Sequence, residues 1–289
     1  MKKKLIHVRT GLLSELQVFL LLFRTIGFTM MVGLAFSALF QGHTNAEESS
    51  PKTRRIETSY FFEHLEPNST YGNRNSGDLS FFSNPCKGFT YFVKANYYNR
   101  MEGSATAGTA GAYIDWLDSL YTYSSVSAGR RSDYLPKIRL DHDFNFKMGA
   151  KKNLVLTAGL TYIDYFTDHK DLILSGGPTL YLNPVILQYR LFHNQSSPGS
   201  VISYSHLISL GYGEEKWQWT YLIFSFGKQA YLATALSSPE EVDQNSFDAT
   251  LRHRHWLDSS YGIFGDVSYF KLQDGYDKTG ICLGFFYEF

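Results

Sequence analysis

From Ile56 to the last residue, Phe289, the chain alternates apolar and polar side chains over short stretches. It is nowhere uniformly apolar over the roughly 20 residues that a helical membrane span needs. Side chains in a strand point to opposite faces by turns, so each stretch reads as a strand with one greasy face and one polar face. If such a chain enters a bilayer, it does so with strands. In lipid those strands must close into a barrel, because each unpaired N–H or C=O at an open edge costs several kcal/mol.

Two segments show the pattern most clearly. In Lys137 to Lys147 one face carries Ile138, Leu140, His142, Phe144 and Phe146, while the other carries Lys137, Arg139, Asp141, Asp143, Asn145 and Lys147. A strand of a soluble sandwich has the same appearance, so this segment alone decides nothing. The C-terminal segment is more specific. Ile281, Leu283, Phe285, Tyr287 and Phe289 share one face, and Gly280, Cys282, Gly284, Phe286 and Glu288 share the other. An alternating final strand that ends on Phe resembles the signal read by the outer-membrane barrel-assembly machinery, with Phe285, Tyr287 and Phe289 as the residues read.

Applied throughout, the pattern gives about fourteen strands, near 56–65, 77–84, 88–100, 107–116, 119–128, 135–147, 153–164, 170–182, 185–194, 200–212, 216–228, 246–256, 260–271 and 278–289; twelve is the alternative. The expected architecture is all-β, a transmembrane antiparallel up-and-down barrel spanning 56–289. An even strand count puts both termini on one side, expected to be the periplasm. Tight links are expected after even-numbered strands, as at Asn183-Pro184, and longer polar loops after odd-numbered ones, as at Pro67 to Ser76 and Tyr231 to Asn245. The turn Trp-Leu-Asp-Ser occurs twice, which suggests Trp116 and Trp256 as members of an interfacial aromatic girdle.

The segment before the strands reads as an address. Lys2, Lys3 and Lys4 open the chain, an apolar stretch runs from Phe28 to Phe40, and cleavage is expected after Ala46. Residues 1–46 are thus a secretory signal, and 47–55 a short periplasmic lead-in. Arg24 interrupts the earlier apolar cluster Val18 to Phe23, which weighs against a retained helical anchor. Removing 1–46 leaves 22 cationic against 26 acidic side chains, so the mature chain is mildly acidic. With no basic stripe, a nucleic-acid partner has no electrostatic support. Aromatics make up 17% of the chain although its formal net charge is zero, a balance suited to a wall that is apolar outside and polar inside. Cys86 and Cys282 are too few for a disulfide scaffold, and their positions in the strand layout disfavour a bridge.

Several stretches resemble the YaiO family of outer-membrane β-barrel proteins. They are Phe61-Phe62-Glu63-His64-Leu65, Gly177-Pro178-Thr179-Leu180-Tyr181 followed by Gln188-Tyr189-Arg190-Leu191-Phe192, Arg252 to Leu257, and Asp274-Gly275-Tyr276 through Tyr287-Glu288-Phe289. The resemblance implies an outer-membrane barrel in contact with outer-membrane lipid. It brings no established activity, cofactor or catalytic residue. Some relatives look connected with exopolysaccharide or envelope systems, but this chain lacks the helical repeats that accompany some of them.

On the strand layout, Glu57, Glu63, Lys94, Lys137, Arg139, Asp141, Asp143, Lys147, Arg190, Arg252, Arg254, Asp266 and Glu288 face the lumen, together with Phe92, Phe226 and Phe286. A charged lumen suits a porin-like channel for a small-molecule or saccharide solute. The competing reading is a closed structural barrel, or an export accessory, braced by salt bridges. An outer-membrane acyl hydrolase or transferase is a third reading, because His142 and His206 face outward among apolar neighbours. No Gly-x-Ser-x-Gly elbow supports it, and the chain is read as non-enzymatic. His253 and His255 share a face, but no third metal ligand accompanies them, so neither a metal nor a cofactor is expected.

Overall fold

The computed structural model describes residues 53–228 and 244–289. The proposed signal segment and nearly all of the loop from Tyr231 to Asn245 lie outside the described residues. Fourteen strands follow one another: β1 (Thr53–Glu66), β2 (Asn73–Cys86), β3 (Phe89–Arg100), β4 (Gly103–Leu117), β5 (Leu120–Gly129), β6 (Pro136–Met148), β7 (Leu154–Tyr165), β8 (Lys170–Leu182), β9 (Val185–Ser197), β10 (Val201–Glu214), β11 (Gln218–Lys228), β12 (Asn245–Trp256), β13 (Tyr261–Leu272) and β14 (Asp277–Glu288). One helical turn, α1 (Asn68–Tyr71), interrupts the link between β1 and β2.

Each strand pairs antiparallel with its sequence neighbours, and β14 returns to pair with β1, so the sheet is a closed barrel. Closure is in register from Arg55 opposite Glu288 to Glu66 opposite Asp277. Arg54 and Phe289 exchange two further backbone hydrogen bonds of 2.8 Å, which places both ends of the barrel chain at one rim. We call this the terminal end, and the opposite rim the loop end. The ladder leaves no edge, so backbone polar groups are satisfied without water.

The strands run past the apolar spans at the loop end. β2 begins at Asn73 and β4 at Gly103, each several residues before its alternation starts, because ladder hydrogen bonds do not require greasy side chains. One consequence overturns the strict parity of the links. Met101 and Glu102 alone join β3 to β4, a connection as tight as those at the terminal end.

The outer wall carries the apolar sets. Ile281, Leu283, Phe285 and Tyr287 on β14 with the adjoining Phe289, and Leu222, Phe224 and Phe226 on β11, are all exposed. Phe226 therefore lies outside with Leu222 and Phe224 and stacks on His206, contrary to the expectation of a lumenal ring. The two Trp-Leu-Asp-Ser turns also differ. Trp116 donates its indole N–H to Thr122 (2.9 Å) on the outer face, whereas Trp256 is 6% exposed and meets Phe286 edge to face inside the barrel. An interior indole next to a cation is thus what the second turn supplies, not a girdle. In that turn the Ser259 hydroxyl, 2.8 Å from Asp258, and the Ser259 N–H hold the Asp258 carboxyl below its usual range.

Candidate functional site: the lumen

The lumen has two storeys. At the loop end Leu65, Ile163, Tyr165, Ile173, Phe270, Leu272 and Tyr276 form one buried apolar cluster, joined by Tyr71 and Phe192. Its buried strand residues come from β1 and β13 on one side and from β7 and β8 on the other, while Tyr276 stands in the link after β13, Tyr71 in α1 and Phe192 on β9. β13 and β8 are five strands apart in the sheet order, so the cluster crosses the lumen rather than following its wall. A second cluster adds to it. Tyr134 and Leu135, in the link between β5 and β6, fold onto Ala105 and Ala107 of β4, and the Tyr134 hydroxyl donates to the Gly103 carbonyl at 2.9 Å.

Below this layer lies an internal cavity of about 620 Å³ against the β12–β14 and β1–β6 sectors. Five carboxylates line it (Glu57, Glu63, Asp78, Asp141, Asp266), and so do seven cations: Arg74, Lys94, Arg100, Arg139, Arg252, Arg254 and Lys278. Four ion pairs take up most of them. Arg254 reaches Glu57 at 2.6 Å, and Lys278 reaches Glu63 at 2.6 Å. Arg252 grips Asp266 with two bonds of 2.9 and 2.8 Å, directly across the β12/β13 ladder. Arg139 holds Asp141 at 3.0 Å. Asp78 instead faces amide and hydroxyl donors, Asn96 at 2.5 Å and Ser59 at 3.5 Å.

Aromatic rings fix the cations in place. The Arg254 guanidinium lies over Phe286 (4.6 Å), Phe264 (5.2 Å) and Trp256 (5.8 Å). Lys94 sits between Phe92 and Phe82, at 5.3 and 5.7 Å from their centroids. Phe92 in turn stacks nearly parallel on Tyr123, with Tyr113 beside both. Glycines make room for this furniture. A side chain at Gly284 would collide with the Phe264 ring, and one at Gly159 with the Asp143 carboxylate and the Arg190 guanidinium.

The expected lumenal residues thus divide into three groups. Lys94, Arg139, Asp141, Arg252, Arg254 and Asp266 line the cavity together. Asp143 and Arg190 pair across the inner wall from β6 to β9, with Arg190 also donating to Ser175, and stand apart from the cavity. Glu288, near the terminal rim, meets Lys216 and Arg55. Lys137 departs from its expected place. It falls at a β-bulge between Pro136 and Ile138, is 59% exposed at the loop-end rim, and pairs with Asp164 at 3.6 Å. A bulge adds one residue to the period, which removes Lys137 from the row of Arg139 and Asp141. Arg74, Arg100, Asp78 and Lys278 were not anticipated in the lumen. Arg74 lies in a polar stretch ahead of the expected strand 77–84, whereas Asp78 lies within that strand at the parity of Ser80. Lys278 and Arg100 likewise share strand parity with Cys282 and Lys94 and were legible in principle.

The histidines lie elsewhere. His142 is 3% exposed and its Nδ1 is 2.8 Å from the Ser124 hydroxyl on the adjacent strand, while its Nε2 has no partner. A catalytic base needs an orienting group on its second nitrogen. His206 contacts the Tyr189 hydroxyl at 2.9 Å. His253 and His255 stack with centroids 6.1 Å apart, and among the described residues no group of three His, Cys, Asp or Glu gathers as metal ligands would. Cys86 and Cys282 are both free thiols.

Known structures of outer-membrane barrels share this fold. The Acinetobacter baumannii outer membrane protein Omp33 is 10% identical, with a TM-score of 0.51 over 82% of this chain and 99% of that one. An anion-selective porin from Comamonas acidovorans is 9% identical, with a TM-score of 0.47 over 84% of this chain and all of that one. Such identities speak to fold alone. The closed barrel of strands is the architecture that the family's description names, the model for the YaiO membrane β-barrel domain matches residues 53–232, and the chain belongs to that family.

Proposed function

We propose that this outer-membrane barrel is a narrow, porin-like channel for small polar solutes, closed at its loop end in the state described. The observation that carries the reading is the cavity itself: about 620 Å³ of space lined by charged, amide and hydroxyl groups. A barrel that served only as a scaffold gains nothing from keeping such groups around an internal space, since unpaired polar groups are costly without water. A hydrated path uses them. Fixed ion pairs along a lumen screen a solute by size and charge without trapping it.

On this reading the pairs Arg139 with Asp141, Arg252 with Asp266 and Arg254 with Glu57, together with Lys94, form the solute-facing wall, while Arg190 with Asp143 and Glu288 with Lys216 brace the barrel. The terminal end faces the periplasm, where the tight links after β2, β4, β8 and β10 belong. Phe285, Tyr287 and Phe289 form an exposed row on the final strand, available to the assembly machinery before β14 meets β1. The lead segment 1–46 is removed on export. The solute is a small molecule or saccharide, and the protein has no enzymatic role.

The cross-lumen apolar layer favours a second reading, a permanently closed structural barrel or export accessory. Proteoliposome swelling separates the two. A channel admits small sugars at a rate that falls with solute size, and a closed barrel leaves the swelling rate equal to that of empty liposomes.

A further inference from the structure

The lumenal charges are not evenly matched. Seven cations and five carboxylates line the cavity, and four ion pairs join four of each. Two other cations, Lys94 and Arg100, lie on the inner face of one strand, β3, with Asn96 and Tyr98 between them. Six residues of strand separate the two by about 20 Å, most of the depth of a bilayer core. β3 carries no carboxylate, and neither does its second neighbour β5; in β4 the sole acid is Asp115, which is engaged by Lys147 near the terminal end.

The manner in which these two cations are held is equally telling. The paired cations are met by carboxylates, which cancel their field. Lys94 is held between the Phe82 and Phe92 rings, and the Arg100 guanidinium lies 4.3 Å above the Tyr134 ring. An aromatic face orients a cation without supplying a counter-charge. Among the described residues neither Lys94 nor Arg100 forms an ion pair, and the buried Nη1 of Arg100 lacks a hydrogen-bond partner. A donor of that kind is paid for only when something accepts from it.

We infer that the β3 face is an anion track: Lys94 and Arg100, assisted by the Asn96 and Tyr98 side chains between them, recognise small solutes bearing a carboxylate or phosphate group. The inference rests on the channel reading above and assigns its charge preference. Asp78 does not cancel the two, because Asn96 and Ser59 already donate to it and one carboxylate stands against both Lys94 and Arg100.

The test is the reversal potential of the refolded barrel in a planar bilayer under a KCl gradient. Heat-modifiable gel migration of each variant first establishes that it has folded. The wild type is expected to pass chloride over potassium by about fivefold, the bias that one uncompensated unit charge at about 4 Å exerts through water. Lys94→Glu is expected to abolish or invert that preference, Arg100→Gln to weaken it, and inorganic phosphate to reduce the chloride current in wild type but not in Lys94→Glu. Current with potassium preference, or a selectivity unmoved by Lys94→Glu, overturns the anion track while leaving a channel in place. A folded barrel that passes no current overturns the channel reading, and the track with it.

Discussion

The loop-end layer and the cavity beneath it are built by the same strands at the same period, yet they are opposite in chemistry. On β1, Leu65 belongs to the apolar layer while Glu63 and Glu57 face the cavity. On β13, Phe270 and Leu272 belong to the layer and Asp266 faces the cavity. In both strands every second residue points inward, so one step of the alternation on β1 and two on β13 separate a dry contact from a charged one. The geometry of a barrel decides which residues look inward. The identity of each inward residue decides whether the lumen at that depth is a seal or a path.

The largest expected effect comes from the seal. Phe270→Ala or Ile163→Ala removes a fully enclosed side chain from the cross-lumen cluster, at a cost of about 3 kcal/mol. The substitution also opens the path, so a lower urea midpoint should accompany a higher conductance. If stability falls and conductance does not rise, the cluster is packing and not a gate. Next in size is the Arg190 and Asp143 pair, in which both side chains are largely sheltered. Arg190→Ala strands a carboxylate and should destabilise by about 2 kcal/mol, as should Gly159→Ala, whose methyl group intrudes on the same pair. Equal loss in the double variant as in either single one would show that both act through this contact. A smaller change is expected at Arg252, which is 52% exposed to the lumen. Arg252→Ala should cost under about 1 kcal/mol, and a loss as large as that of Arg190→Ala would mean the cavity is drier than we describe. The smallest is His206→Ala on the outer wall, at about 0.5 kcal/mol or less, with no effect on current. Any phospholipid product that vanished in a His142→Ala variant would revive the acyl-transfer reading.

The fold was legible because its constraint is local and repeated. Alternation at period two and polar turns recur from strand to strand, as in β6 and β14, and all fourteen strands coincide with the stretches so patterned. The lumen was less legible, because its composition depends on two things that alternation does not encode. One is the bulge. The residue inserted at Pro136 and Ile138 moves Lys137 to the rim, and nothing in its neighbours announces that shift. The other is which inward groups meet across the barrel. Arg254 and Glu57 are 197 residues apart in sequence, and only closure of β14 on β1 brings them to 2.6 Å. The seal was missed for the same reason. Leu65, Ile163 and Phe270 each look like an ordinary apolar residue in its own strand, and their common purpose appears only across the lumen. Phe226 and Trp256 failed in opposite directions, one expected inside and the other in the girdle, because an aromatic ring suits a lumen, an interface and a lipid face alike.

The central claim is that a polar path runs through the barrel and is closed by the apolar layer. Single-channel recording of the refolded barrel, side by side with the Phe270→Ala variant, tests it most directly. The account expects small, discrete steps from the wild type and larger or longer openings from the variant. Silence from both, with each folded by gel migration, would contradict it and leave a structural barrel.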